Sequence, residues 1–173
     1  MRRLILFRHA KSEWPAGVAD DKRPLAKRGR RTAPLMGAFL ARENLLPDLA
    51  LVSTARRAME TWELAYAEFG SKVAWKAEPR LYDAPVSALF DIVRQMPSNI
   101  RTLMLVGHNP GFEVFAGQLT TEGPELDLSR LREKLPTAAI AVIDFNIDGW
   151  KAIDAEHGVL KRFETPRSVE GAN

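Results

Sequence analysis

The chain contains no cysteine in its 173 residues. Disulfide bonds, thiolate metal sites and a cysteine nucleophile are therefore excluded. Histidine is scarce as well, at three residues, and none stands in an HxH or HExxH pattern. No carboxylate cluster at ligand spacing makes up for this, so no metal and no other cofactor is expected. The apolar runs are short. None approaches the roughly 20 residues of a membrane-spanning helix, and no membrane partner is expected. Met1-Arg2-Arg3 ahead of an apolar run imitates a secretory leader, but the run is too short and no small-residue cleavage site follows. A cytoplasmic location is the expectation. Internal repeats, low-complexity tracts and linkers are also missing. With 46% apolar residues the chain is long enough to bury a full core, so a single domain over 1–173 is expected, acting as a monomer. Charge is nearly balanced, with 25 basic and 22 acidic side chains for a net +3. This suits an anionic ligand. It does not point to nucleic acid, because neither a concentrated basic face nor a nucleic-acid motif is evident in the sequence.

What the chain does have is an alternation of short apolar runs and helical stripes. Leu4-Ile5-Leu6-Phe7 is too short for a helix and reads as a strand buried on both faces of a parallel sheet. A polar loop follows over 11–24. Residues 25–44 place Leu35, Met36, Phe39 and Leu40 at three-and-four spacing, which predicts a helix with one buried face. Gly29, Pro34 and Gly37 argue for a kink or a restart there. Its basic residues Lys27, Arg28, Arg30 and Arg31 read as a solvated side. Leu49-Ala50-Leu51-Val52 is a second buried strand, with Ser53 or Thr54 placed to cap the next helix. That helix, about 55–69, carries the stripe Ala58, Met59, Trp62, Ala65, Tyr66 and Phe69.

A weaker strand is expected at 73–78, a loop at 80–84 and an amphipathic helix through Val86, Leu89, Phe90, Val93 and Met96. A third strong strand at 102–106 turns at Gly107-His108-Asn109-Pro110-Gly111 into a helix with Phe112, Phe115, Ala116 and Leu119. Residues 120–136 read as polar, broken at Gly123-Pro124. A long strand at 138–145 follows, then a short one at 159–163 expected at the sheet edge, and a tail from Pro166 expected to fray. The alternation predicts an α/β fold: a three-layer α/β/α domain with a mostly parallel central sheet and helices on both faces.

The polar residues fall into place on that map. The first strand ends in Arg8-His9. The second ends in Ser53, with Arg57 in the first turn of the following helix, and the third ends in His108. In open α/β sheets ligands bind beyond the carboxyl ends of the strands, so these groups are expected to converge. Guanidinium presents a planar fork that matches phosphate oxygens, and helix N-termini add N–H donors. A neutral imidazole can attack phosphorus and leave again. A metal site with His9, His108 and either Asp83 or Asp20 is the competing arrangement, but Arg8 and Arg57 beside a divalent cation would be electrostatically unfavourable. His157 reads as a surface residue with no role.

These residues carry a resemblance. Leu6-Phe7-Arg8-His9-Ala10-Lys11-Ser12 resembles the RHG-type signature of the histidine phosphatase superfamily, and Ala10 after the histidine resembles its SixA-type phosphohistidine phosphatase branch. Val52-Ser53-Thr54-Ala55-Arg56-Arg57-Ala58-Met59-Glu60-Thr61 is similar to the family's S-x-x-x-R-A-x-Q/E-T segment, which selects Arg57 over Arg56. Leu105-Val106-Gly107-His108-Asn109-Pro110 is similar to its second-histidine segment, and Arg23-Pro24-Leu25 and Tyr82 also fit the branch.

The resemblance implies a phosphoglycerate mutase-like fold and a cofactor-independent phosphatase. His9 would be the nucleophile, forming a transient phosphohistidine. Arg8, Arg57 and His108 would hold the phosphoryl oxygens, with Lys11, Ser12 and Asn109 as further phosphate-binding candidates. Mutase-like relatives add an Asn in the RHG loop and a carboxylate acid. Here Lys11-Ser12 occupies the loop, and Asp83 is the nearest candidate acid by placement, with a plain loop aspartate as its other reading. An imidazole leaving group is far less basic than an alkoxide and requires less help from an acid. A histidine-phosphorylated protein is therefore the expected substrate and partner. The alternatives are a phosphatase of small phosphate esters, a phosphoglycerate-type mutase, a non-catalytic phosphoprotein-binding module, and an RNA-binding domain using Arg28 to Arg31.

Overall fold

The computed structural model describes residues 1–171. In chain order the elements are β1 (Arg2–Arg8), α1 (Lys27–Arg42), β2 (Leu49–Val52), α2 (Arg56–Tyr66), β3 (Ala74–Ala77), α3 (Val86–Arg94), β4 (Thr102–Gly107), α4 (Gly111–Leu119), β5 (Thr120–Glu122), α5 (Glu125–Glu133), β6 (Ile140–Phe145), β7 (Gly158–Glu164) and α6 (Pro166–Gly171). The seven strands form one mixed sheet in the order β3-β2-β4-β1-β6-β7-β5. The β3, β2, β4 and β1 strands run parallel, β6 runs antiparallel to β1 and β7, and β5 pairs parallel with β7. The domain is a three-layer α/β/α sandwich.

Strand periodicity builds the two outer layers. On one face Leu4, Leu6, Leu51, Leu103 and Leu105 meet Leu89 and Val93 of α3, Phe112 and Phe115 of α4, and Leu128 and Leu131 of α5. On the other face Ile5, Phe7, Ala50, Val52, Met104 and Val106 meet Met36 and Leu40 of α1, Trp62 and Ala65 of α2, and Val169 of α6. Both faces of β1 and β4 are covered, as their unbroken apolar runs predict.

Four expectations are corrected. First, α1 runs unbroken through Gly29, Pro34 and Gly37. Its buried face outweighs the hydrogen bond that Pro34 forgoes, and Gly37 lets α2 approach closely: a Cβ there would stand 2.4 Å from the Ala65 carbonyl oxygen. Second, the polar segment 120–136 holds a strand, β5, and a helix, α5. Third, β7 is interior, because β5 pairs with its far side and forms the edge. Fourth, 166–171 does not fray. Val169 packs into the core, and Thr165 and Ser168 exchange hydrogen bonds at the start of α6. The last two residues of the expected frayed tail, 172 and 173, lie outside the described residues. The expected loop at 80–84 opens with a 3-10 turn over Pro79–Leu81.

Candidate active site

The strand register brings the site together. Phe7 pairs with Val106, which pairs in turn with Val52. One step on, Arg8 pairs with Gly107. His9, Ser53 and His108 therefore leave three adjacent strands at nearly the same height. Backbone bonds carry the alignment past the strand ends: His9 N donates to Gly107 O at 3.0 Å, and Ser53 N to Val106 O at 3.0 Å. The His9 and His108 rings end 5.2 Å apart between centroids.

All eight candidates from the sequence, Arg8, His9, Lys11, Ser12, Arg57, Asp83, His108 and Asn109, line one cavity of about 490 Å³. His157 is exposed and is not among the lining residues. Among the described residues no group of three or more His, Asp or Glu side chains is placed to hold a metal ion.

His9 is buried, and its Nδ1–H donates to its own neighbour's carbonyl, Ala10 O, at 2.8 Å. That bond fixes the tautomer and leaves the Nε2 lone pair free. Burial pushes the imidazole pKa down to about 3, and His108, Arg8 and Arg57 add repulsion against the cation. At neutral pH the ring is uncharged. His108 is likewise held down to about 4, first by burial and then by Arg57. Its Nε2 lies 2.7 Å from Ser53 Oγ. Ser53 Oγ also accepts from Ala55 N at 3.3 Å, and it keeps a lone pair and its hydroxyl proton for the bond to His108 Nε2. His108 Nδ1 is buried and has no partner among the described residues. Ser53 thus orients the second histidine and does not cap α2. The N-cap of α2 is Ala55, with no side-chain cap bond.

The arginines differ. Arg8 donates from Nη1 to Leu135 O at 3.0 Å, its Nε is buried without a partner, and burial lowers its pKa. Arg57 directs both terminal nitrogens at Asp20, from Nη1 to the backbone oxygen at 2.7 Å and from Nη2 to Oδ2 at 3.1 Å. Its Nε is buried and unpaired. Asp20 also takes Arg23 Nη1 at 3.0 Å on Oδ1 and the Tyr82 hydroxyl on Oδ2. The Tyr82 bond and the two guanidiniums hold the Asp20 carboxyl far below its usual range, and the same bond pushes Tyr82 up to about 12.

The remaining candidates are positioned as follows. Ser12 Oγ accepts from Arg23 Nη2 at 2.6 Å. Asn109 spends its side-chain amide protons on Glu113 Oε2 and Leu135 O, both at 2.9 Å, so its side chain braces the wall. The Lys11 and Asp83 side chains are exposed at the rim, and Asp83 has a left-handed backbone, φ 52°.

Sequence reasoning gave Asp20 a part only in a competing metal site. It marked Arg23, Tyr82 and Thr61 only by resemblance and gave Thr61 no role. Thr61 Oγ1 accepts from Ala10 N at 2.9 Å and donates to Arg57 O at 2.7 Å, so it ties the His9 loop to α2. Glu60 does a similar job, accepting from Leu25 N at 2.8 Å.

Comparison with known proteins agrees with this architecture. Residues 4–89 match the model of the histidine phosphatase superfamily (branch 1). The uncharacterized protein Rv1276c of Mycobacterium tuberculosis is 36% identical over 164 residues, covering 93% of this chain and 100% of the relative. The Agrobacterium tumefaciens protein assigned as the phosphohistidine phosphatase SixA superposes with a TM-score of 0.77 at 27% identity, over 95% of this chain and 99% of that one. Its counterpart from Nakamurella multipartitia gives 0.78 at 26%, over 95% and 96%. The chain belongs to the histidine phosphatase superfamily, whose members share this phosphoglycerate mutase-like fold. Within the superfamily it falls in the SixA-type branch.

Proposed function

We propose that the protein is a phosphohistidine phosphatase acting through a phosphorylated His9. The observation that carries the reading is the state of His9. It is an uncharged ring locked by Ala10 O, with Nε2 free in a cavity that Arg8, Arg57 and His108 also line.

The chemistry follows from these groups. His9 Nε2 attacks phosphorus and forms a new N–P bond as the substrate's own N–P bond breaks. The equatorial oxygens gather charge in that step, and the Arg8 and Arg57 guanidiniums and the His108 ring that line the cavity stabilise it. A substrate imidazole protonated on its distal nitrogen departs as neutral imidazole, so no protein acid is required. Water then attacks phospho-His9, releasing inorganic phosphate and restoring the free ring. The carboxylates at the cavity fit this economy. Asp20 is held ionised by its partners and has no proton to give at neutral pH, and Asp83 sits at the exposed rim. An alkoxide leaving group would find no acid in Asp20.

The test is a comparison of substrates. A histidine-phosphorylated peptide and p-nitrophenyl phosphate are expected to be hydrolysed by the wild-type protein and not by His9→Ala. Rapid quenching should capture phosphate on His9. Fast turnover of small phosphate esters with no release from phosphohistidine would overturn the reading.

A further inference from the structure

The chain carries a second depression that the catalytic chemistry does not use. It adjoins the active site, and Lys11 and Thr137 line both cavities. Its volume is about 380 Å³. Five cations line it: Lys11 from the loop after β1, Arg28 from the first turn of α1, Arg130 from α5, Lys134 just past α5, and Arg167 from α6. Among the described residues Glu133 is the only carboxylate in the lining. With the Asp127 partner of Arg130 included, the groove holds a net charge of +3, as much as the whole chain carries. Residues from four separate parts of the sequence build this face, so no single stretch announces it.

The cations are not consumed internally. Arg130 alone has a carboxylate partner, Asp127 at 3.3 Å. Among the described residues Lys11, Arg28, Lys134 and Arg167 have none within 4.0 Å. A cleft lined by one sign of charge focuses its potential outward and attracts a complementary partner.

We infer that this groove docks a carboxylate-rich segment of the phosphorylated protein next to its phosphorylated residue. The inference rests on the reading of a phosphoprotein substrate. Its geometry favours carboxylates spread along a chain over a single second phosphate. A phosphate site gathers several donors around one point, and the catalytic cavity, lined by Arg8, Arg57, His9 and His108, already supplies such a set. Here four of the five cations are exposed and Arg130 is half-buried; they come from four separate regions and surround a floor of Phe163, Pro136 and Pro166 that suits aliphatic side-chain stems.

The experiment separates docking from chemistry. A fluorescein-labelled, unphosphorylated peptide with six Asp and Glu residues around one histidine is titrated with the full chain, beside a peptide with Asn and Gln in their place. The histidine-phosphorylated forms of both are then assayed for hydrolysis, with p-nitrophenyl phosphate as reference. The protein is compared with Arg28→Glu/Arg167→Glu and with Arg28→Gln/Arg167→Gln. Charge reversal is expected to weaken acidic-peptide binding and its kcat/KM by roughly tenfold or more, with the neutral pair intermediate and p-nitrophenyl phosphate changed by less than about twofold. Equal treatment of acidic and neutral peptides by the wild-type protein would overturn the inference. So would a parallel fall in p-nitrophenyl phosphate hydrolysis, or tighter binding of a single-stranded RNA than of the acidic peptide. Binding that depends on Arg28 and Arg167 without any phosphohistidine hydrolysis would support the groove and overturn the phosphohistidine reading instead.

Discussion

Asp20 is the residue that most changes how the cavity works. Its backbone oxygen and carboxylate occupy both terminal nitrogens of Arg57, and its carboxylate also holds Arg23 and Tyr82. An incoming phosphoryl group needs the same Arg57 donors and meets the same negative charge. Asp20 is therefore both a brace and a competitor. The Asp20 side chain is 46% exposed, so solvent screens the pair and the competition is modest. Asp20→Asn should tighten inhibition by inorganic phosphate or vanadate by roughly fivefold, equivalent to about 1 kcal/mol. Inhibition constants measured side by side check this, and an unchanged or weaker constant would count against competition. His9 and His108 were legible in the sequence because each stands one residue beyond an apolar run whose end is unmistakable. Asp20 was not, because its loop has no periodicity and its partner Arg57 lies 37 residues away.

At the scale of elements, the site depends on how α1 and α2 grip the loop after His9. Ala26 N donates to Lys11 O at 2.8 Å, and Ser12 pairs with Leu25 in an antiparallel bridge. The first turn of α1 then lies so close that a Cβ on Gly29 would stand 2.1 Å from Lys11 O. Gly29→Ala must push that loop and shift His9. It is expected to lower kcat by roughly ten- to hundredfold and stability by about 1–3 kcal/mol. Gly117→Ala is the matched control. Gly117 lies in α4 with nothing within 4 Å of its would-be Cβ, so stability should rise by about 0.5–1 kcal/mol with activity unchanged. Thr61→Val keeps the shape and removes both bonds that tie Ala10 to Arg57, and should cost about 1–3 kcal/mol in denaturant unfolding together with a fall in kcat. Long stripes such as that of α2 were readable from sequence. Helix α5 was not, because only Leu128 and Leu131 of its nine residues are buried, too few to show a period.

Across the whole molecule, one sheet delivers all of its site groups to one end, and that convergence has a thermodynamic consequence. The parallel half of the sheet was visible as apolar runs, whereas the order of β6, β7 and β5 depends on pairings that no local pattern encodes. The sheet buries His9 and His108 side by side as neutral rings, with pKa values of about 3 and about 4. In the unfolded chain an imidazole titrates near 6.5. Between these values the unfolded state binds protons that the native state refuses, so stability falls as pH falls. The window opens near pH 6.5 and closes near the native values, with a limiting slope of roughly 1.4 kcal/mol per pH unit for each imidazole. Asp20 acts in a different range. Its folded value lies below its unfolded one near 3.8, so its contribution is complete above that point and is lost only in stronger acid. Melting temperatures measured from pH 7 to pH 4.5 should therefore fall, and His9→Gln and His108→Gln should each flatten the curve by about one proton. The arm of the rate profile that reports protonation of the nucleophile should stay flat to at least pH 5 over the same range, because His9 remains neutral while the fold weakens. A wild-type melting temperature independent of pH in this window, or an activity lost with a midpoint near 6.5, would show that the two rings are not desolvated as the sheet geometry requires.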